Sequence, residues 1–254
     1  MGAYRVNIRG IEISDAGMDS VAEKLAYNVS HGVQTAVYTP NAEALYLCLK
    51  DKETADIFKA ADINVPDGAG VLLAAKLLGQ PMKNGRVAGV DLGMRIVQIA
   101  AERGFSLYLF GGSPGVAEKA ACKLSEKYPD LAIVGFHDGF SFSEDDIISE
   151  INDSGADILF VCLGMPKQEK WIYENKESLS AKLIIGLGGS LDIYSESKKR
   201  APEAFIKLRL EWLYRLIQEP RRIKRIIKLP LLFFAVTFDG IKSRAQKRKE
   251  KRTR

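Results

Sequence analysis

Histidine is nearly absent from this chain, with 2 in 254 residues, and neither His31 nor His137 has a ligand-spaced partner. The three cysteines, Cys48, Cys122 and Cys162, are scattered through apolar runs with no CxxC or Cys/His spacing. That pattern argues against a metal framework or a disulfide scaffold and fits small buried hydrophobes in a reducing compartment. No Asp-x-Asp pair is present, so a nucleotide clamped through carboxylate-bound Mg²⁺ has no support, and no metal ligand or cofactor is assigned. Neither GxGxxG nor a Walker A loop occurs, which argues against a dinucleotide oxidoreductase. Met1 to Ser14 lacks the apolar core of a signal peptide. The most apolar stretch, Leu229 to Phe238, is interrupted by Pro230 and falls far short of the roughly 20 residues of a spanning helix.

What is present describes an ordinary globular chain, 46% apolar and 27% charged, long enough for one large α/β domain with or without an appendage. Its net charge of +5 conceals an asymmetry. Residues 198–254 hold 19 basic and 5 acidic residues, whereas residues 1–197 hold 18 basic and 27 acidic. An acidic body with a basic tail calls for an anionic partner of the tail: membrane lipid, nucleic acid or a diphosphate.

Tyr4 to Ile13 alternates apolar and polar residues as a hairpin or edge strand does. Helices are predicted over Met18–Ser30, Ala42–Lys50, Val71–Leu78, Leu92–Glu102, Val116–Tyr128, Glu144–Asn152 and Lys167–Lys176. Strands are predicted over Thr35–Tyr38, Ile63–Val65, Phe105–Phe110, Leu131–Phe136, Asp157–Leu163 and Lys182–Leu187. Short apolar strands alternating with amphipathic helices predict an α/β fold: a Rossmann-like parallel sheet with helices on both faces. This body is expected over residues 1–197, followed by a basic, helical, amphipathic C-terminal appendage over 198–254.

In such folds ligands bind at the carboxyl ends of the strands, and several polar motifs fall there. Pro66-Asp67-Gly68 follows one strand and opens a helix; Asp67 there is either a helix N-cap or the chemical centre of a site. Thr39-Pro40-Asn41 marks a second junction. Gly111-Gly112 precedes a helix start, a geometry shared by tight turns and phosphate loops. Gln168, one turn into its helix, can reach a sugar or base. In the tail, Arg215, Arg222 and Arg225 share one face if the helix resumes in phase across Pro220; they are either diphosphate ligands or a solvated face. Pro230 to Phe238 with the charged run Lys242 to Arg254 fits an interfacial anchor better than a nucleic-acid arm.

Together these motifs resemble the WecG/TagA/CpsF glycosyltransferases (glycosyltransferase family 26), and among them the N-acetylmannosaminyltransferases of wall teichoic acid linkage-unit synthesis. The resemblance covers nearly the whole chain. It rests on Thr39-Pro40-Asn41-x-Glu43, Pro66-Asp67-Gly68, Arg86-x-x-Gly89-x-Asp91, Phe110-Gly111-Gly112, Gly164-x-Pro166-x-Gln168-Glu169, Gly188-Gly189-x-x-Asp192, Arg200-Ala201-Pro202 and Glu211-Trp212-Leu213-x-Arg215-Leu216…Glu219-Pro220-x-Arg222. Two departures, Ser195-Glu196 and Arg209, lie where body and appendage meet.

The resemblance implies metal-independent, inverting transfer of N-acetylmannosamine from a UDP-sugar donor to undecaprenyl-diphosphate-linked N-acetylglucosamine, forming a β-1,4 linkage. It places the general base on Asp67, sugar-pocket polar groups on Thr39 and Asn41, and diphosphate-binding arginines in the tail. A different donor, such as UDP-N-acetylmannosaminuronic acid or UDP-glucose, is the rival; for a uronate, Arg86 could supply the extra cation. A nucleotide-dependent oxidoreductase and a nucleic-acid adaptor are the more distant alternatives. The expected location is cytoplasmic, peripheral on the inner face of the bacterial cell membrane, with a homodimer or homotrimer when off it.

Overall fold

The alternation near the N-terminus folds as an antiparallel hairpin, β1 (Arg5–Ile8) and β2 (Ile11–Ser14), which buries Val6, Ile8, Ile11 and Ile13. This computed structural model describes residues 5–208 and 210–252; the side chains of Lys207, Arg215, Arg222, Lys224, Arg225 and residues 243–252 fall outside the described set. After the hairpin come α1 (Met18–Ser30), β3 (Thr35–Tyr38), α2 (Ala42–Lys50), α3 (Lys52–Ala60), β4 (Ile63–Asn64), α4 (Ala69–Leu77) and α5 (Gly89–Arg103). Next are β5 (Ser106–Gly111), α6 (Val116–Lys127), β6 (Ala132–His137), α7 (Glu144–Asp153), β7 (Ile158–Cys162), α8 (Lys167–Asn175), β8 (Leu183–Gly186) and α9 (Ser190–Tyr194). The tail carries α10 (Glu203–Lys207), α11 (Glu211–Gln218), α12 (Ile223–Ile226) and α13 (Leu229–Arg252).

Strands β3 to β8 form one parallel sheet in the order β4-β3-β8-β7-β5-β6. Successive strand residues face opposite sides, so a wholly apolar strand demands cover on both. Val37, Leu107, Leu109, Phe160 and Ile185 enter one core with α1, α5 and α6. Ala36, Tyr38, Tyr108, Phe110, Leu159 and Ile184 enter a second core with the hairpin, α2, α4 and α13. The chain is thus an α/β protein of the expected architecture, and its parallel strands bring all their carboxyl ends to one edge.

The structure differs from the sequence reading at four places. Helix α3 is an additional element: Asp51 caps it by accepting from Thr54 N at 2.8 Å, and its apolar face buries Ala55, Ile57 and Phe58. Helix α5 starts at Gly89 rather than Leu92. The apolar patch and the charged run of the tail are one continuous helix, α13, because Pro230 occupies its second residue, where no amide hydrogen is needed. In contrast, the helix does not run unbroken across Pro220: α11 ends at Gln218 and a 3₁₀ turn spans Pro220–Arg222.

Helix α13 is two-faced. Leu232 and Val236 are completely buried against the body, while Leu231, Phe234, Phe238 and Ile241 are exposed. It lies along α2 and α4, and Arg9 of the hairpin turn forms an ion pair with Asp239. The approach to α4 is so close that a methyl group at Gly240 would collide with the Leu77 carbonyl oxygen. Gly240→Val should therefore cost about 1–3 kcal/mol through overpacking, read as a lowered melting temperature. An unchanged melting temperature would show that α13 does not pack on α4 as described.

Candidate active site

The site is assembled by backbone hydrogen bonds that continue the β3–β4 ladder past the end of the strands. Val65 N donates to Tyr38 O at 2.9 Å, and two residues on Asp67 N donates to Pro40 O at 3.0 Å. Val87 N then donates to Pro66 O at 2.9 Å, drawing in the Arg86 loop. Three segments far apart in sequence, around Thr39, Asp67 and Arg86, are thereby fixed side by side.

Within this cluster each side chain has a definite setting. Thr39 Oγ1 donates to Gly186 O at the end of β8, 3.0 Å away. Asn41 is the N-cap of α2, with Oδ1 accepting from Glu43 N at 2.8 Å and Ala44 N at 3.1 Å. Asp67 is half-buried. The N-cap of α4 is Gly68, at φ 95°, a conformation that favours glycine. Asp67 thus stands one residue before the N-cap position.

Arg86, on the same cluster, donates from Nη2 to Glu211 Oε2 of α11 at 2.9 Å, with only 19% and 10% of the two side chains exposed. Two further pairs join the tail to the body: Arg200 Nη2 donates to Asp91 at 2.7 Å, and Lys198 Nζ contacts Asp192 at 3.0 Å. Lys198 Nζ also contacts Glu219 within the tail at 3.2 Å. Asp91, Asp192, Glu211 and Glu219 were legible as parts of motifs, but their pairing was not. Arg215, Arg222 and Arg225 lie outside the described residues as far as their side chains are concerned.

Gln168 and the Gly111-Gly112 turn stand farther along the edge. Gln168 is 2% exposed; Oε1 accepts from Gly188 N at 2.8 Å and Nε2 donates to Glu169 Oε1 at 2.8 Å. Gly186 makes room for it, since a Cβ there would sit 2.9 Å from Nε2. Gly111 and Gly112, at φ 125° and 77°, let the chain pass against β7, where Gly112 N donates to Cys162 O at 3.1 Å. With β8 and β7 between β3 and β5, this turn is three strand spacings, about 14 Å, from Thr39. The structure joins Thr39, Asn41, Asp67 and Arg86 in one cluster, with Gln168 contacting it through β8 and Gly111-Gly112 at a distance.

Sequence reasoning missed Glu169 as a candidate in its own right. This carboxyl is 2% exposed, and burial pushes it up to about 7. Oε2 has no hydrogen-bond partner among the described residues. Its titratable neighbours, Tyr38 of β3 and Cys48 of α2, are themselves pushed up by burial and stay neutral. No group of three His, Cys, Asp or Glu side chains clusters as metal ligands would among the described residues, and no helix among them is long and apolar enough to cross a membrane.

The model of the "Glycosyl transferase WecG/TagA/CpsF family" matches residues 6–247. The N-acetylglucosaminyldiphosphoundecaprenol N-acetyl-beta-D-mannosaminyltransferase of Bacillus subtilis (strain 168) is 32% identical over 202 residues, covering 80% of this chain and 78% of the relative. Proteins of the same name from Bacillus spizizenii (strain ATCC 23059 / NRRL B-14472 / W23) and Staphylococcus aureus (strain MRSA252) are 31% and 28% identical, covering 86% and 91% of this chain and 88% and 92% of those relatives.

Two outcomes follow from the side-chain environments. Glu211→Ala leaves the Arg86 cation largely buried without this carboxylate and should cost on the order of 3 kcal/mol in denaturant unfolding. Arg86→Ala added to it should cost little more; fully additive losses would show that the two side chains are uncoupled. For Glu169, the folded protein favours the protonated form, so its stabilising contribution is full below pH 4.5 and is lost as pH rises through about 7. Relative to Glu169→Gln, the wild type should lose stability by about 1.4 kcal/mol per pH unit inside that window, and parallel pH profiles would refute the buried, protonated state.

Proposed function

The chain belongs to the WecG/TagA/CpsF glycosyltransferase family, and from that premise we propose that it transfers N-acetylmannosamine from UDP-N-acetylmannosamine to N-acetylglucosamine on undecaprenyl diphosphate. The names of relatives that align with most of this chain support that transferred sugar and that acceptor. The observation that carries the chemistry is the convergence of the Thr39, Asp67 and Arg86 segments through Asp67 N–Pro40 O and Val87 N–Pro66 O.

In the proposed reaction the acceptor's 4-hydroxyl oxygen attacks the anomeric carbon while Asp67 takes its proton. The bond from that carbon to the diphosphate oxygen breaks, and UDP leaves with the electron pair. This is a single displacement with inversion and a β-1,4 product, and it needs no metal in this reading. Arg215, Arg222 and Arg225 stabilise the departing diphosphate by charge and bidentate hydrogen bonding. Thr39 Oγ1 has its hydrogen engaged by Gly186 O, so it meets a sugar hydroxyl as an acceptor. A uronate donor is the weaker reading, because Arg86, the cation it would call on, is already matched by Glu211.

The tail brings this chemistry to a lipid-bound acceptor. Leu231, Phe234, Phe238 and Ile241 recur at intervals of three and four on α13 and are exposed, and residues 198–254 carry a strong basic excess. Such a helix suits the anionic inner face of a bacterial membrane. Off the membrane, the same apolar stripe supports self-association as a homodimer or homotrimer.

A transfer assay with a panel of UDP-sugars and a lipid-linked N-acetylglucosamine acceptor tests the assignment. UDP-N-acetylmannosamine should be the preferred donor, and Asp67→Ala should lower kcat by about 10²–10⁴ while retaining the fold and UDP binding. Preference for another donor would overturn the substrate, and near-normal turnover by the variant would overturn the base.

A further inference from the structure

Burying Glu169 is costly. A carboxyl with one oxygen unpartnered loses hydration without full compensation, and an apolar side chain of similar volume would fill the space without that loss. What Glu169 supplies, and an apolar residue cannot, is an acceptor for Gln168 Nε2 at 2.8 Å. That contact determines which way the Gln168 amide faces. With Nε2 held by Glu169, Oε1 is directed at Gly188 N, 2.8 Å away. Were the amide reversed, an NH₂ group would oppose the Gly188 N–H.

The consequence runs along the sheet edge. Gly188 lies just past β8, and Gly186 O at the end of that strand accepts from Thr39 Oγ1. The residue after Thr39 is Pro40, whose carbonyl accepts from Asp67 N. Tyr38 adds a second tie, since its hydroxyl donates to the Glu169 backbone carbonyl at 3.3 Å. A line of named contacts therefore connects a carboxyl in the core with the backbone of Asp67.

We propose that Glu169 is a positioning residue for transfer, orienting the Gln168 amide so that the β8 turn, Thr39 and Asp67 are held in register. This rests on the reading of Asp67 as the acting base. Its substrate-independent content is the rigidity of the Gly188 and Asp67 backbone.

Three proteins test it: wild type, Glu169→Met and Glu169→Gln. The methionine variant removes the acceptor and the unpartnered oxygen together, so its melting temperature should equal or exceed that of the wild type. Its kcat should fall roughly tenfold to a hundredfold, the scale on which a small misplacement of reacting groups acts, with little change in donor KM. The glutamine variant keeps a carbonyl acceptor and should retain most of the wild-type rate. Amide hydrogen exchange at Gly188 and Asp67 should quicken in Glu169→Met and not in Glu169→Gln. A role in folding alone would instead make activity follow stability.

A folded methionine variant with wild-type turnover and exchange overturns the assignment. So does a glutamine variant that loses as much activity as the methionine one. If Glu169→Met does not fold, Glu169→Gln decides: loss of transfer from the folded protein overturns the proposal, and full transfer with unchanged Gly188 exchange upholds it. A wild type that transfers no sugar sinks the transferase reading instead, and the exchange comparison still decides the role of Glu169.

Discussion

The backbone hydrogen bond from Asp67 N to Pro40 O is the constraint on which the candidate site depends. Strand β4 has only two residues, paired with β3 as Val37–Ile63 and Tyr38–Asn64, too few to fix the direction of the chain that follows. The ladder continues beyond the strand through Val65 N–Tyr38 O and Asp67 N–Pro40 O. Pro40 and Pro66 have no amide hydrogen, so each can contribute to such a ladder only by accepting. Pro40 O takes Asp67 N and Pro66 O takes Val87 N, which carries the registration from one loop to the next in a single direction. Two prolines that would interrupt a central strand thus serve as acceptors that align three loops.

Charge completes what the ladder begins. The body has more acidic than basic residues and the tail the reverse, and Arg200–Asp91 and Lys198–Asp192 pair them where the two join, while Arg86–Glu211 crosses with the charges exchanged and Lys198–Glu219 lies within the tail. They differ in weight. Lys198 is half-exposed, and pairs of that kind contribute roughly 0–1 kcal/mol. Arg86 and Glu211 are mostly buried, where a charge without its partner is costly. The placement of α11 beside the Asp67 cluster is accordingly governed by that pair, with the others guiding approach more than fixing position.

Much of the sheet was legible because its strands are short, apolar and separated by amphipathic helices. Met18–Ser30, Thr35–Tyr38 and Ala42–Lys50 have the same bounds in sequence and structure. Helix α3 carries a legible signal that the sequence reading does not use, the Asp51 cap with Ala55 and Phe58 three residues apart on its buried face. Helix α13 failed differently. Its apolar residues look like one patch in sequence, but packing divides them between a buried face with Leu232 and Val236 and an exposed one with Phe234 and Phe238. For the site, polar strand ends were readable and their hydrogen-bond partners were not. Gly188 N is 20 residues from Gln168, and Glu211 is 125 residues from Arg86, distances over which local pattern carries no information.

Those partners also separate the residues that hold the site from those that can act in it. The Oδ1 of Asn41 accepts from two helix amides, and both ends of the Gln168 amide are engaged within the fold. Polar side chains committed in this way set the shape of a pocket. The base of the proposed reaction needs a backbone held in place and a carboxylate within reach of the acceptor hydroxyl. A carboxylate at a helix N-cap accepts amide hydrogens, which stabilises its charged form and weakens it as a base. At the start of α4 that position is taken by Gly68, whose φ of 95° turns the chain into the helix, and Asp67 stands one residue earlier with its backbone tied to Pro40. The glycine of Pro66-Asp67-Gly68 thus lets the chain turn into α4 directly after a residue whose backbone is still held in the ladder, and this fixes where the Asp67 side chain begins.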